Sequence, residues 1–204
     1  MAESERPGAR SIPDPRPWPR HGVRAGTEYR IFTTTFEELE NPRTGQRMER
    51  VVVDAPDWVN VVGLTAERDV IVVKQHRFGV GAPTIEIPGG MIDPGEQPLV
   101  AAKRELREET GFVAERWRSL GAVAPNPAFL NNRCHHFLAE GCRRSGEQLQ
   151  DPGEDIHVGT MSLEEMRAAI LDGAVDHSLV LTAMLRVLDL RSHGLEDDGA
   201  EARP

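Results

Sequence analysis

Apolar and polar positions repeat with a period that changes along the chain, and each change marks an element. Residues 29–36 set Tyr29, Ile31, Phe32 and Phe36 among three threonines, the β-branched and aromatic mixture that strands favour. The cluster Asn41-Pro42-Arg43-Thr44-Gly45 predicts a turn, and residues 48–53 the strand that returns from it. A hairpin this small is rarely stable alone and must pack on something, a second subunit being one candidate. Apolar runs over residues 58–64 and 70–75, joined by a turn at Glu67-Arg68-Asp69, predict buried strands. Residues 84–88 predict another, ending at Gly89-Gly90. From Leu99 the period lengthens and predicts a helix to Thr110, with Pro98 tolerated in its first turn and Gly111 stopping it. Residues 134–139 read as a further strand. Ser162-Leu163-Glu164-Glu165 matches a capping box for a helix reaching Leu171, ended by Asp172-Gly173. His177-Ser178 then opens a last helix, with Leu181, Met184, Leu185 and Leu188 at helical spacing.

Strands mixed with well-separated helices favour an α/β sandwich. No glycine-rich dinucleotide fingerprint follows a strand, which argues against a Rossmann domain. The expected division is a Pro- and Arg-rich flexible arm over residues 1–26, which Trp18 could anchor locally, and a hairpin unit over 27–57. A main domain over 58–191 and a disordered acidic tail over 192–204 complete it. No internal repeat is present.

Composition narrows the function. The 204 residues are 39% hydrophobic and 28% charged, an ordinary balance for one domain with appended pieces. A formal net charge of −9 argues against a nucleic-acid-binding surface but leaves room for one local basic pocket. An acidic protein with an anionic substrate is helped by a divalent cation that bridges the two. The first 24 residues lack the apolar core of a signal peptide, and no run approaches the ~18 apolar residues of a membrane span. The expectation is a cytoplasmic protein without membrane contact, whose two cysteines, Cys134 and Cys142, are small buried thiols.

The predicted helix over residues 99–110 carries the candidate chemistry. At about 100° per residue, Leu99, Ala102 and Leu106 share one stripe, the expected core face. Glu105, Glu108 and Glu109 fall beside it, within a sector of roughly a quarter to a third of a turn. Like charges at this spacing repel, which a helix built only for solubility avoids. Clustered carboxylates bordering a core face suit a hard divalent cation such as Mg²⁺. Gly89-Gly90 permits close backbone approach, and the Asp93-Pro94-Gly95 turn delivers Glu96 near the helix start, within reach of Arg104. On clustering alone, a solvated charged helix behind a glycine-rich turn remains an alternative.

Spacing decides between them. Gly90, five residues, Glu96, seven residues, then Arg104-Glu105-Leu106-Arg107-Glu108-Glu109-Thr110-Gly111-Phe112 resembles an unbroken Nudix box, its variable apolar positions held by Leu106 and Phe112. The resemblance implies an α/β/α sandwich with a mixed sheet, beside the small N-terminal antiparallel β unit. It implies Glu105 and Glu109 as principal Mg²⁺ ligands (Mn²⁺ substituting), with Glu108 a further direct or water-mediated one. The carbonyl of Gly89 or Gly90 completes the metal site, and Arg104 and Glu96 orient loop against helix.

Val72-Val73-Lys74-Gln75-His76-Arg77, followed by Glu86-Ile87-Pro88-Gly89-Gly90, resembles the branch of ADP-ribose pyrophosphatases and nucleoside-diphosphate-sugar hydrolases. His76 departs from that branch's usual tyrosine. The branch implies a homodimer that exchanges its N-terminal β units. It also implies Arg77 as a phosphate contact and Glu86 as a substrate or metal contact. Asn131 and Arg133 lie in a specificity loop over residues 124–133 whose wording is closer to GDP-mannose-type enzymes. The branch places an acidic residue on a loop beyond the box as general base or extra ligand. Glu154 is the first candidate and Asp151 the second, Pro152 standing where another glutamate is expected. Trp58 either stacks on the nucleobase or packs in the core. The seven histidines show no metal-ligand spacing, and His135 and His136 point to opposite faces of their strand.

The implied activity is Mg²⁺-dependent hydrolysis of a nucleoside diphosphate sugar, ADP-ribose or a relative such as GDP-mannose, to a nucleoside monophosphate and a sugar phosphate. Pyrophosphate removal from nucleoside triphosphates or RNA ends is the enzymatic alternative, disfavoured by the hairpin and by Gln75-His76-Arg77. A nucleotide-sugar sensor without hydrolysis is the other, disfavoured by the intact carboxylates.

Overall fold

The computed structural model describes residues 13–150 and 152–188. Asp151, the tail expected over 192–204 and the first part of the expected arm lie outside the described residues. Two compact units divide at Asp54 and Ala55.

The first unit is a three-stranded antiparallel sheet, β1 (Arg20–Glu28), β2 (Thr33–Glu40) and β3 (Arg47–Asp54), in that order. The hairpin read over residues 29–53 is the β2–β3 pair, but its first strand begins later. Tyr29 donates its N–H to the Phe32 carbonyl and stacks on that ring, which turns the chain there. Residues 20–26, assigned to the arm, belong instead to β1. Arg24 of that strand lies 4.1 Å over the Phe36 ring and pairs with Glu49, so polar residues pair across the sheet where an apolar signal is weak. None of residues 13–54 is buried.

The second unit is built on an eight-stranded mixed sheet. Its strands are β4 (Trp58–Thr65), β5 (Val70–Arg77), β6 (Ala82–Glu86), β7 (Gly89–Met91), β8 (Phe112–Val113), β9 (Arg116–Val123), β10 (Cys134–Arg144) and β11 (His157–Met161). β10 runs parallel to β4, with Cys134 opposite Trp58, and antiparallel to β8 and β9. β4 and β5 pair only at Leu64 and Val70 and then splay. The segment that carries β6 and β7 enters the opening: β6 pairs with the far half of β5, and β7 with the start of β4. That wedge presents Glu86 and the Gly89-Gly90 pair to the centre of the sheet.

Helices cover both faces. α1 (Pro98–Thr110) packs on Val59, Val61, Ile71, Phe137 and Ala139. α2 (Leu163–Leu171) and α3 (Ser178–Met184) supply Met166, Val180, Ala183 and Met184 to the other face, against Val62, Leu64, Val72 and Leu138. This is the expected α/β/α sandwich. α1 starts with Pro98 in its first turn and ends at Gly111, whose φ of 73° gives the left-handed cap. Ala102 and Leu106 of the expected stripe are buried, joined by Ala101, while Leu99 in the first turn is exposed. The capping box on α2 forms in both directions between Ser162 and Glu165. The last helix is shorter than its pattern, since turns take over after Met184.

Cys134 and Cys142 are buried free thiols. His135 and His136 face opposite ways: His135 pairs with Asp57 at 3.1 Å, while His136 is fully buried. Burial first, then the Arg186 charge, push the His136 imidazole down to about 4, so it sits neutral in the core.

Candidate active site

Arg104 organises the box. Its guanidinium donates to both Glu96 oxygens (3.1 and 2.9 Å) and to the Met91 carbonyl (3.0 Å) on the loop side. On the helix side it donates to Glu105 (2.8 Å) and Glu108 (3.2 Å). One planar fork therefore ties the loop after β7 to the helix, a geometry a lysine cannot reproduce. Glu96 also accepts the Asp93 N–H, and the Arg104 hydrogen bonds hold its carboxyl below the usual range.

Glu105 and Glu109 lie against the glycine pair. A Cβ on Gly90 would fall 2.5–2.8 Å from the Glu105 carboxylate, so the backbone reaches that group only as glycine. Glu109 accepts the Gly89 N–H at 2.9 Å. Burial is the main cause that pushes the Glu109 carboxyl up to about 8, assisted by the charges of Glu105 and Glu154 against the Gly89 bond. Glu105 is also raised, burial leading and Arg104 opposing. Among the described residues no three Asp, Glu, His or Cys side chains already close around one point, since Arg104 draws Glu105 and Glu108 to itself. Two sheltered carboxylates, one too buried to ionise readily alone, are hard oxygen donors of the kind Mg²⁺ takes, and the Gly89-Gly90 backbone passes beside them.

Arg77 and Glu86 come together across β5 and β6. Arg77 donates from Nε and Nη2 to the two Glu86 oxygens, both at 2.7 Å, and Thr84 adds a 2.6 Å hydroxyl bond. Glu86 is buried, with His177, at the start of α3, 4.0 Å away. Burial opposes its charge, yet the Arg77 and Thr84 bonds win and its carboxyl lies below the ordinary value. Arg77 also feels the charges of Glu109 and Glu154, and Glu154 acts on Glu105 and Glu109. The Glu154 charge is thus felt at all three groups.

The third group lies where β4 and β10 begin. Trp58 is half-buried, and its N–H donates to the Arg133 carbonyl. Asn131 accepts the Ala55 N–H, the Arg133 N–H donates to Asp57 at 2.7 Å, and the Arg133 guanidinium donates to the Ala122 carbonyl. The loop is fastened by the very residues expected to meet substrate. Sequence reasoning passed over its neighbour Asn132, which is buried, donates to the Pro56 carbonyl and leaves its side-chain oxygen without a hydrogen-bond partner among the described residues. It passed over Thr84 and His177 too. Strand alternation put Thr84 on the face of Glu86, but nothing in the sequence links His177 to either.

A family model described as NUDIX domain matches residues 54–183. The methanol dehydrogenase activator of Bacillus methanolicus is 30% identical over 156 residues, 76% of this chain and 84% of the relative. The ADP-ribose pyrophosphatase of Bacillus subtilis is 35% identical over 137 residues, 67% of this chain and 74% of its own. Among solved structures, an ADP compounds hydrolase superposes with a TM-score of 0.75 at 22% identity, covering 86% of this chain and 95% of that one, a likeness of fold.

Proposed function

This chain belongs to the Nudix family of hydrolases, and from that premise we propose that it cleaves the pyrophosphate bond of a nucleoside diphosphate sugar, ADP-ribose or a related compound such as GDP-mannose. The products are a nucleoside monophosphate and a sugar phosphate. The observation that carries this reading is the pair of sheltered carboxylates, Glu105 and Glu109, set against Gly89-Gly90, with the charges of Glu154 and Arg77 acting on Glu109. The kinship with an ADP-ribose pyrophosphatase supports the substrate class.

Glu105, Glu109, Glu108 and the carbonyl of Gly89 or Gly90 are the groups that would hold Mg²⁺, or Mn²⁺ in its place. A cation bound there would supply positive charge for the diphosphate and would lower the pKa of nearby water. The chain's residues do the rest. Arg77 binds a phosphate oxygen while Glu86 fixes its fork. Arg104 and Glu96 keep the carboxylates aimed. Trp58, Asn131 and Arg133 border the substrate. Glu154 takes the proton as water oxygen bonds to one phosphorus and the bridging oxygen leaves on the other.

A phosphatase-coupled phosphate-release screen tests this over ADP-ribose, GDP-mannose, ADP-glucose, UDP-glucose and nucleoside triphosphates. A diphosphate sugar is expected to lead, with turnover abolished by EDTA and restored by Mg²⁺. A dominant triphosphate signal, or calorimetric binding of ADP-ribose without product, overturns the substrate or the activity.

We further propose a cytoplasmic homodimer, with the hairpin unit over residues 27–57 exchanged between subunits. Among the described residues no helix is long and apolar enough to cross a membrane. The N-terminal unit exposes Val23 and Val51 on its strands and Tyr29 and Ile31 in the turn between β1 and β2, and has no buried residue among those described, a core that a partner subunit would supply. Sedimentation equilibrium is expected to give twice the chain mass. A monomer at micromolar concentration removes the proposal.

A further inference from the structure

The segment that leaves β10 is stitched back onto the catalytic helix. Ser145 N–H donates to the Gly111 carbonyl at 2.9 Å, and Leu149 N–H to the Glu108 carbonyl at 2.8 Å. Two glutamines then close the structure around the acidic loop. The Gln148 amide nitrogen donates to the Glu109 carbonyl at 2.7 Å and to the Ile156 carbonyl at 3.0 Å. The Gln150 side chain donates to that same Ile156 carbonyl at 2.8 Å and accepts the Ile156 N–H at 3.0 Å, as a neighbouring strand would. Ile156 is buried and leads directly into β11. Glu154 lies two residues before Ile156, so these bonds tie the chain just after it to the last turn of α1 and to the start of β11.

The chemistry at Gln148 is specific. Two carbonyl oxygens face one nitrogen, so the position needs a neutral group with two N–H donors, which a primary amide provides and a carboxylate cannot. Glu109 is fixed twice by this arrangement, its side chain by Gly89 and its carbonyl by Gln148.

Resting on the role given above to Glu154, we propose that Gln148 and Gln150 are positioning residues that clamp the Glu154 loop to the helix bearing Glu105 and Glu109. The clamp sets the distance between the proton acceptor and the carboxylate site. Neither glutamine touches the reacting atoms.

Steady-state kinetics at saturating Mg²⁺, with the best substrate of the screen, compare Gln148→Met, Gln148→Glu, Gln150→Glu, Glu154→Gln and the double variant Gln148→Met/Glu154→Gln. Gln148→Met is expected to lower kcat about 10- to 100-fold while KM stays within about threefold, since a small misplacement is felt mainly in the chemical step. Gln148→Glu keeps the shape, loses both donors and is expected to fall as far. Gln150→Glu keeps the bond from Ile156 N–H and loses less. Amide exchange at Ile156 is expected to quicken in both Gln148 variants and to stay near wild type in Gln150→Glu, with the melting temperature nearly unchanged, a readout independent of turnover. In the Glu154→Gln background, Gln148→Met is expected to cost nothing further. If its loss adds there in full, or if Gln148→Glu turns over like wild type, the clamp is overturned and Glu154 keeps its role. If Glu154→Gln itself turns over like wild type, both fall.

Discussion

Glu109→Gln and Glu105→Gln are each expected to lower turnover by at least about 100-fold, because residues that merely support a metal ligand already cost 10- to 100-fold when removed. The fold is expected to survive both changes. Glu109 is the sharper case, since its carboxyl is pushed up to about 8 by burial before any other cause. A neutral amide there matches the state the folded chain prefers without a cation, and its oxygen can still accept the Gly89 N–H. The sign of the linkage follows. A carboxyl raised in the folded state holds its proton after the unfolded chain has released it, so cation-free wild type loses stability as pH rises from the ordinary carboxylate range to about 8. Glu109→Gln is expected to flatten that slope, and added Mg²⁺ to offset it in wild type alone. Thermal melts from pH 5 to 9, with and without Mg²⁺, read both effects beside the rate assay. Turnover within twofold of wild type in both variants would remove these carboxylates from the mechanism.

The placement of those two glutamates beside Gly89-Gly90 was legible because helical spacing and box spacing point to the same positions. What surrounds them was not. β7 is Gly-Gly-Met, which no propensity marks as a strand, and it pairs only because β4 and β5 splay and leave room for it. β9 mixes arginine, tryptophan and serine over a half-exposed strand, so it shows no alternation to read. β1 hides behind a Pro- and Arg-rich lead for a similar reason, its contacts being ion pairs and an arginine over a ring. Leu99 looked like core because a helical wheel does not say where the sheet ends. The pairing of Arg77 with Glu86 needs the β5–β6 register, which places Arg77 opposite Ala82 and Val73 opposite Glu86. Gln148 and Gln150 belong to no period at all. Their partners are main-chain atoms, and main-chain partners leave no trace in side-chain pattern.

Arg77→Met is expected to raise KM about 10- to 100-fold, the loss of one charge-assisted phosphate contact, and to destabilise the fold as well. The two effects have different origins. Glu86 is 2% exposed and accepts both Arg77 nitrogens, so removing the guanidinium strands a buried carboxylate. Arg77 itself is 43% exposed, and water entering from that side reduces the cost to about 1–3 kcal/mol at neutral pH, below that of a fully buried broken pair. The pH sense separates the states. With Arg77 present, the Glu86 carboxyl is held below its ordinary value, so its stabilisation is present above the unfolded value and is lost as pH falls through the folded one. Without Arg77, burial leads unopposed except by Thr84 and the more distant His177. The carboxyl then rises, and the variant is expected to recover stability as pH falls. Arg77→Met/Glu86→Gln takes away the stranded charge, so its melting temperature is expected to return most of the way at pH 7 while KM stays high. Recovery of both in the double variant would make Arg77 a structural partner of Glu86 and leave the phosphate contact to another cation.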